Sequence, residues 1–237
     1  MKPVAILQHD ATHAPGYLLE FLQARGIAWT LRRADDLAAT GLDLGDVSGL
    51  VLLDSRHSVK DGAPWIVAEL ALVRRAIERG VPVLGHAFGG HLLAHALGAE
   101  VGPAATPNIG WGALHVTPHG RHLFGGAAEV MGFNWHRETF SLPRGATRMA
   151  FGRYTLNEGC ARGHHVALQC HLELTADMLA EWCCIGRDEL MAVDGRCAQP
   201  ACEMLRRLPQ CLPLLRRTAH AVYGHWLDGL RGRSCAA

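Results

Sequence analysis

The 237-residue sequence predicts an α/β fold, a doubly wound mixed sheet with a helical C-terminal extension. Three observations carry that expectation. Short runs of Val, Leu and Ile alternate with segments of helical period through the first hundred residues, the pattern of parallel strands covered on both faces. The stretch from Gly98 to about Gly163 is strand-like and rich in turns, and from Thr175 onward helical period dominates. With 49% hydrophobic residues the chain can bury one sizeable core, so residues 1–185 are expected to form one domain and residues 186–237 a helical extension packed on it.

The elements follow in order. Pro3 to Gln8 reads as a strand, and Gly16 to Arg25 as a helix with Tyr17, Leu18, Phe21 and Leu22 at helical spacing and Gly26 as its stop. Ile27 to Arg32 and the apolar Leu50 to Leu53 read as further strands. Pro64 to Glu78 carries a helical apolar pattern capped by Gly80, and Val81 to Leu84 resumes the sheet. Trp111–Val116, Ala128–Phe133 and Arg148–Gly152 are candidate antiparallel strands. A last strand, Val166 to His171, feeds a helix from Thr175 to Cys184, and the helical remainder is expected to break at Pro200, Pro209 and Pro213.

Lys and Arg total 23 against 22 Asp and Glu, which removes any electrostatic reason to expect nucleic acid as a partner. No stretch approaches the roughly 20 apolar residues of a membrane span, the N-terminus reads as a strand rather than a secretory signal, and a cytoplasmic location is expected. The 8 cysteines lack paired C-x-x-C spacing and read as reduced packing residues.

Chemistry concentrates at two places. Gly85-His86-Ala87-Phe88-Gly89-Gly90 joins a buried strand to an apolar helix, the sharp turn that thrusts its middle side chain, here Ala87, above the sheet. The helix that follows aims its N–H groups and positive dipole end at that point, as an oxyanion or thiolate would require. Far along the chain, Gln169-Cys170-His171-Leu172-Glu173 places His171 and Glu173 on one side of an extended segment, the base and orienter of a nucleophilic triad.

These motifs, with Pro15-Gly16-Tyr17-Leu18, Pro64-Trp65, Ile109-Gly110-Trp111, Trp135-His136 and Thr139-Phe140 in the same order, resemble a class I glutamine amidotransferase of the GMP-synthase-like, stand-alone kind over nearly the whole chain. The resemblance implies a flavodoxin-like sheet and a cysteine at position 87 that attacks the glutamine amide. It further implies His171 as base and then acid, with oxyanion donors from Phe88 and from a Gly-Gly-Pro loop after the third strand. A separate synthetase or biosynthetic enzyme would take the ammonia, and the sequence leaves room for a homo-oligomer.

The chain departs from that pattern at the centre. Ala87 carries no nucleophile, Asp54-Ser55-Arg56 stands where Gly-Gly-Pro is usual, His91 replaces a substrate-binding glutamine, and His86 occupies a position that is ordinarily small and apolar. The expectation is therefore a pseudo-glutaminase whose pocket, formed by Asp54, Ser55, His57, His86, Phe88, His91 and Trp135, serves a small ligand or a partner. Two alternatives stay open. One is a repurposed hydrolase or transferase using Ser55, Cys170 or a metal-bound water, with zinc on His57, His86 and His91 as the metal version. The other is a true glutaminase in which alanine has replaced the cysteine. No cofactor is expected under the main reading.

Overall fold

Residue alternation along the first strands decides which way they face. The computed structural model describes residues 1–34, 41–193 and 195–234, the last four of these in backbone only. In β1 (Val4–Gln8), Val4 and Ile6 join one apolar cluster while Ala5 and Leu7 join the opposite one. In β3 (Gly49–Leu52), Val51 faces the first cluster, and Leu50 and Leu52 the second. A strand buried on both faces has to be covered by helices on both, because successive side chains point to opposite sides.

The sheet has nine strands in the order β2-β1-β3-β4-β9-β8-β7-β5-β6. The strands β2 (Trp29–Arg33), β1, β3, β4 (Val83–His86) and β9 (His165–Leu168) are mutually parallel. The remaining strands, β8 (Gly159–Arg162), β7 (Thr147–Phe151), β5 (Val101–Val116) and β6 (Glu129–Phe140), are antiparallel. Helices α2 (Pro64–Glu78) and α3 (Phe88–Ala96) cover one face; α1 (Tyr17–Ala24), α4 (Ala176–Ile185) and the long α6 (Ala201–Ser234) cover the other. A short helix, α5 (Arg187–Ala192), lies between α4 and α6. No helix among the described residues is long and apolar enough to cross a membrane.

Two expectations need correction. The last parallel strand ends at Leu168, so His171 and Glu173 lie in the turn beyond it rather than on a continuing strand. The helix α6 is also not broken at Pro209 or Pro213 but runs through both. Each proline deletes one N–H bond, to the carbonyl four residues back, and the two stand one turn apart on the exposed side of the helix, where water can satisfy the freed carbonyls. The opposite side holds the helix in place: Met204, Cys211, Leu215, Val222, Tyr223 and Trp226 are buried in the same cluster as Val4 and Ile6. Within the expected 186–237 extension, residue 194 and residues 235–237 lie outside the described residues.

Glu158, wholly buried before β8, accepts a 3.0 Å hydrogen bond from Asn108 Nδ2. Burial pushes its carboxyl up to about 8 from an ordinary 4.5, against the opposing hydrogen bonds from Asn108, Thr155 and Asn134. The fold thus favours the protonated acid, and that contribution is fully present below about 4.5 and lost as pH rises through about 8. Glu158→Gln, which keeps the neutral form at every pH, is expected to melt with the unaltered chain at pH 5 and above it at pH 9 in thermal scans.

Candidate functional site

The pairing of β4 with β9 (Gly85 opposite Ala167, His86 opposite Leu168) brings two segments some eighty residues apart in sequence to one end of the sheet. Ala87 leaves β4 at φ 46°, ψ −112°, making it the one non-glycine among the described residues with positive φ. Its own N–H donates to the Leu168 carbonyl at 2.9 Å, and the next turn is drawn down as Gly89 N–H donates to the Leu53 carbonyl. A Cβ on Gly89 would stand 2.2 Å from the Leu52 carbonyl oxygen, so glycine is what allows α3 to begin this close to β3. The chain therefore keeps a strained turn at a residue with no reactive side chain. Such strain costs on the order of 1–3 kcal/mol, and Ala87→Gly is expected to raise stability by about 1 kcal/mol in urea unfolding after its own entropy cost is subtracted.

Phe88 N–H, the first donor of α3 beyond the turn, does not point into open space. It donates to Asp54 Oδ1 at 3.0 Å. Asp54 follows β3, and its other oxygen, Oδ2, lies 3.1 Å from His13 Nε2. His13 in turn sits with Nδ1 at 2.8 Å from Asp10. Burial alone would lower the His13 imidazole, but Asp54 and Asp10 outweigh it and hold the group at about 10, so it is a cation at neutral pH. Burial likewise opposes ionisation of Asp54, yet His13, His171 and the Phe88 N–H keep its carboxyl well below the usual range. A fixed carboxylate thus fills the position in front of the helix N-terminus.

His171 Nδ1 and Glu173 Oε1 are 2.9 Å apart, so the expected base and orienter do meet, although in a turn. The second oxygen of Glu173 is 3.4 Å from His86 Nδ1, and His86 Nε2 is 3.4 Å from the Tyr223 hydroxyl of α6. Burial would raise Glu173, but His86 and His171 hold it ionised; burial lowers His86, with Glu173 opposing. His171 Nε2, the nitrogen that would act on a nucleophile, has no hydrogen-bond partner and lies 3.9 Å from Asp54 Oδ2. The loop carrying His13 is fastened beside this group: Tyr17 N–H donates to the Glu173 carbonyl at 2.9 Å, an approach that a Cβ on Gly16 would block.

Above the turn opens a cavity of about 450 Å³. Asp54, Ala87, Phe88 and His91 form its base, the loop Ser55–Ser58 one wall, and Trp135–Glu138 of β6 the other, with Trp182 and Glu189 closing the side. His86 and His171 are not in this wall, which corrects the expectation for His86 as a ligand contact. Both are fully buried beneath it, and the Trp182 ring packs at 4.8 Å from the His171 ring. His91 lines the base but its Nε2 is tied to Gln169 Oε1 at 3.0 Å, and His57 is at the exposed rim, paired with Asp61. These three histidines do not converge, and among the described residues no group of three or more His, Cys, Asp or Glu is placed to hold a metal ion.

Ser55 Oγ accepts the His57 N–H at 3.2 Å, a loop-capping bond. Cys170 is buried in the apolar cluster, and burial pushes its thiol well up. Trp135 stands at the wall with its indole N–H donating to Glu189. His136 keeps Nδ1 on the Glu138 carbonyl at 2.9 Å, and burial, aided by His91 and His171, lowers it to about 3. Sequence reasoning missed His13, Asp10 and Trp182, and named His136 only within a motif and not as a site residue. The first two had a usable signal: they follow β1, which is adjacent to β3, and loops at the carboxyl ends of neighbouring parallel strands share a site.

The sequence profile of the glutamine amidotransferase class-I family matches residues 17–179. Among solved structures, a glutamine amidotransferase from Methylobacillus flagellatus superposes with a TM-score of 0.91 at 35% identity, over 97% of this chain and 95% of that one. The glutamine amidotransferase-like protein YfeJ of Salmonella typhimurium is 27% identical over 211 residues, 81% of this chain and 84% of its own. A candidate GMP synthase component from Thermoplasma acidophilum shares the fold, with a TM-score of 0.65 at 18% identity over 100% of this chain and 98% of that one. The elbow after β4, the His171–Glu173 pair beyond β9 and these matches lead to one assignment: the chain belongs to the class I glutamine amidotransferase family.

Proposed function

We propose that this chain is a glutaminase-silent member of its family whose cavity binds a small ligand or a segment of a partner protein without hydrolysing an amide. The observation that carries the reading is the bond from Phe88 N–H to Asp54 Oδ1. Amide hydrolysis through a covalent intermediate needs a nucleophile, a base and a donor aimed at the developing oxyanion. Ala87 removes the first, and Asp54 occupies the third with a permanent anion. A second negative charge forming about 4 Å from Asp54 would cost about 4 kcal/mol at an effective dielectric constant of 20. That is as large as the roughly 3–4 kcal/mol an oxyanion donor supplies.

The remaining machinery supports binding rather than turnover. His171 and Glu173 are sealed under Trp182, and the cavity retains aromatic surface from Phe88, Trp135 and Trp182 beside polar groups from His91, His136 and Arg137. A separate synthetase or biosynthetic enzyme, on this reading, would use the chain as a binding module rather than as a source of ammonia. The test is ammonia release from L-glutamine by the purified chain, compared with His171→Ala. Equal, background-level release is expected. Steady release that His171→Ala abolishes would overturn the proposal, as would a source gene that encodes cysteine at position 87.

A further inference from the structure

A second cavity, of about 140 Å³, lies at the end of β9 opposite His171. It is enclosed by the β8–β9 hairpin, by α6 and by the chain after the 3-10 turn at Pro118–Gly120. Arg162 and His164 enter it from the hairpin, His225 and Trp226 from α6, and His122 from the third side; no Asp or Glu lines it.

The donors are held toward one space. The rings of His122 and His225 are 4.9 Å apart. His164 lies so close on the α6 backbone that a Cβ on Gly229 would stand 2.7 Å from its Nδ1, so glycine at 229 is what admits the ring. The Arg162 stem passes over Gly145, and its guanidinium forms no ion pair among the described residues. Trp226 lines the cavity, and its buried indole N–H has no hydrogen-bond partner, a donor that an acceptor in the cavity would satisfy. Asp228 acts on His225 from α6 but is not part of the wall.

We propose that this cavity binds a small tetrahedral oxyanion of the phosphate class, held by Arg162, the imidazoles of His122, His164 and His225, and the Trp226 N–H. Trp and Arg only donate, and each imidazole offers at least one N–H in either protonation state, so the wall is matched to an acceptor. The donors come from three separate elements, so several oxygens of one tetrahedral ion can be met at once. The volume is below the roughly 300 Å³ at which pockets begin to take drug-sized ligands, so it admits the anion group and not a nucleoside beside it. A metal ion is disfavoured because the guanidinium of Arg162 repels a cation and, among the described residues, no three ligands are grouped to coordinate one.

The test is a titration of the full chain with inorganic phosphate at neutral pH, followed by the imidazole C–H signals in NMR. Saturable shifts are expected at His122, His164 and His225, and none at His13 or His171. Arg162→Ala should weaken binding at least about tenfold, the loss of one charge-assisted contact, with partial recovery in Arg162→Lys. Gly229→Ala should weaken it by displacing the His164 ring. Melting curves of Arg162→Ala that match the unaltered chain ensure that a lost site is not a lost fold. Glycerol phosphate distinguishes the source: equal affinity points to a phosphomonoester and preference for inorganic phosphate to the free ion, and either upholds the site. Absent saturation, shifts unchanged in Arg162→Ala, or zinc binding tightly through these three imidazoles would each overturn it.

Discussion

Ala87→Cys, made alone, is expected to release no more ammonia from glutamine than the unaltered chain, whereas Ala87→Cys combined with Asp54→Gly should exceed the single variant by about 100-fold, the usual worth of one oxyanion donor. Geometry sets both results. A thiolate at position 87 would gain the positive end of α3 and the His171 base, but the Phe88 N–H that must receive the oxyanion is already bonded to Asp54 Oδ1 at 3.0 Å. A thiolate would also stand beside that carboxylate, which raises the thiol and lowers the fraction of active nucleophile. Removing the Asp54 side chain frees the N–H and removes the charge together. The double variant still lacks a glutamine at position 91, where His91 is tied to Gln169, so it should stay well short of a competent glutaminase. A single Ala87→Cys variant as fast as the double would mean that Asp54 moves aside at no cost.

The second large effect is on stability and its pH dependence. His13 is raised from 6.5 to about 10 by Asp54 and Asp10 against the pull of burial, so its contribution is fully present below about 6.5 and lost as pH rises through about 10. Asp54 is depressed below its ordinary 3.8, so its contribution is present above that value and lost as pH falls further. The pair is therefore at full strength between about pH 4 and 6.5. Both side chains are nearly buried, and removing one partner of a buried pair costs about 3–5 kcal/mol. Asp54→Asn is expected to lose about 3 kcal/mol at pH 6, reduced from that range because the amide oxygen can still accept from Phe88, and much less at pH 10. Denaturant midpoints at the two pH values and the His13 imidazole titration check this; His13 titrating near 6.5 in the unaltered chain would contradict it.

Much of this architecture was legible in the residues. The helix from Pro64 to Glu78 is matched to the residue because proline starts it and Gly80 ends it, two signals that need no tertiary information. The elbow at Ala87 was legible for the same reason: glycines that a Cβ could not replace mark it. What escaped depended on neighbours distant in sequence. Pro209 and Pro213 announce breaks, and only the burial of Leu215, Tyr223 and Trp226 against the sheet shows why α6 continues through them. The strand ending at Leu168 could not be separated from the turn holding His171 because Gln169, Cys170 and Leu172 are as buried as the strand itself.

At the site, Asp54 was readable as a misplaced charge but not as the occupant of the Phe88 N–H, since that bond depends on how far the loop after β3 reaches over α3. His86 illustrates the opposite error. Its position beside the elbow suggested a ligand contact, yet Ala87 lines the cavity while His86 lies beneath it, packed edge-on against Tyr223.

The proposed function turns on the chain's own carboxylate, Asp54, filling the anion position at the elbow. Crystals of the unaltered protein soaked in concentrated L-glutamine would show whether it does. Asp54 Oδ1 is expected to stay within hydrogen-bond distance of Phe88 N, with any bound glutamine outside that position. Asp54 turned away, with the glutamine amide oxygen on the Phe88 N–H in its place, would refute that role for Asp54.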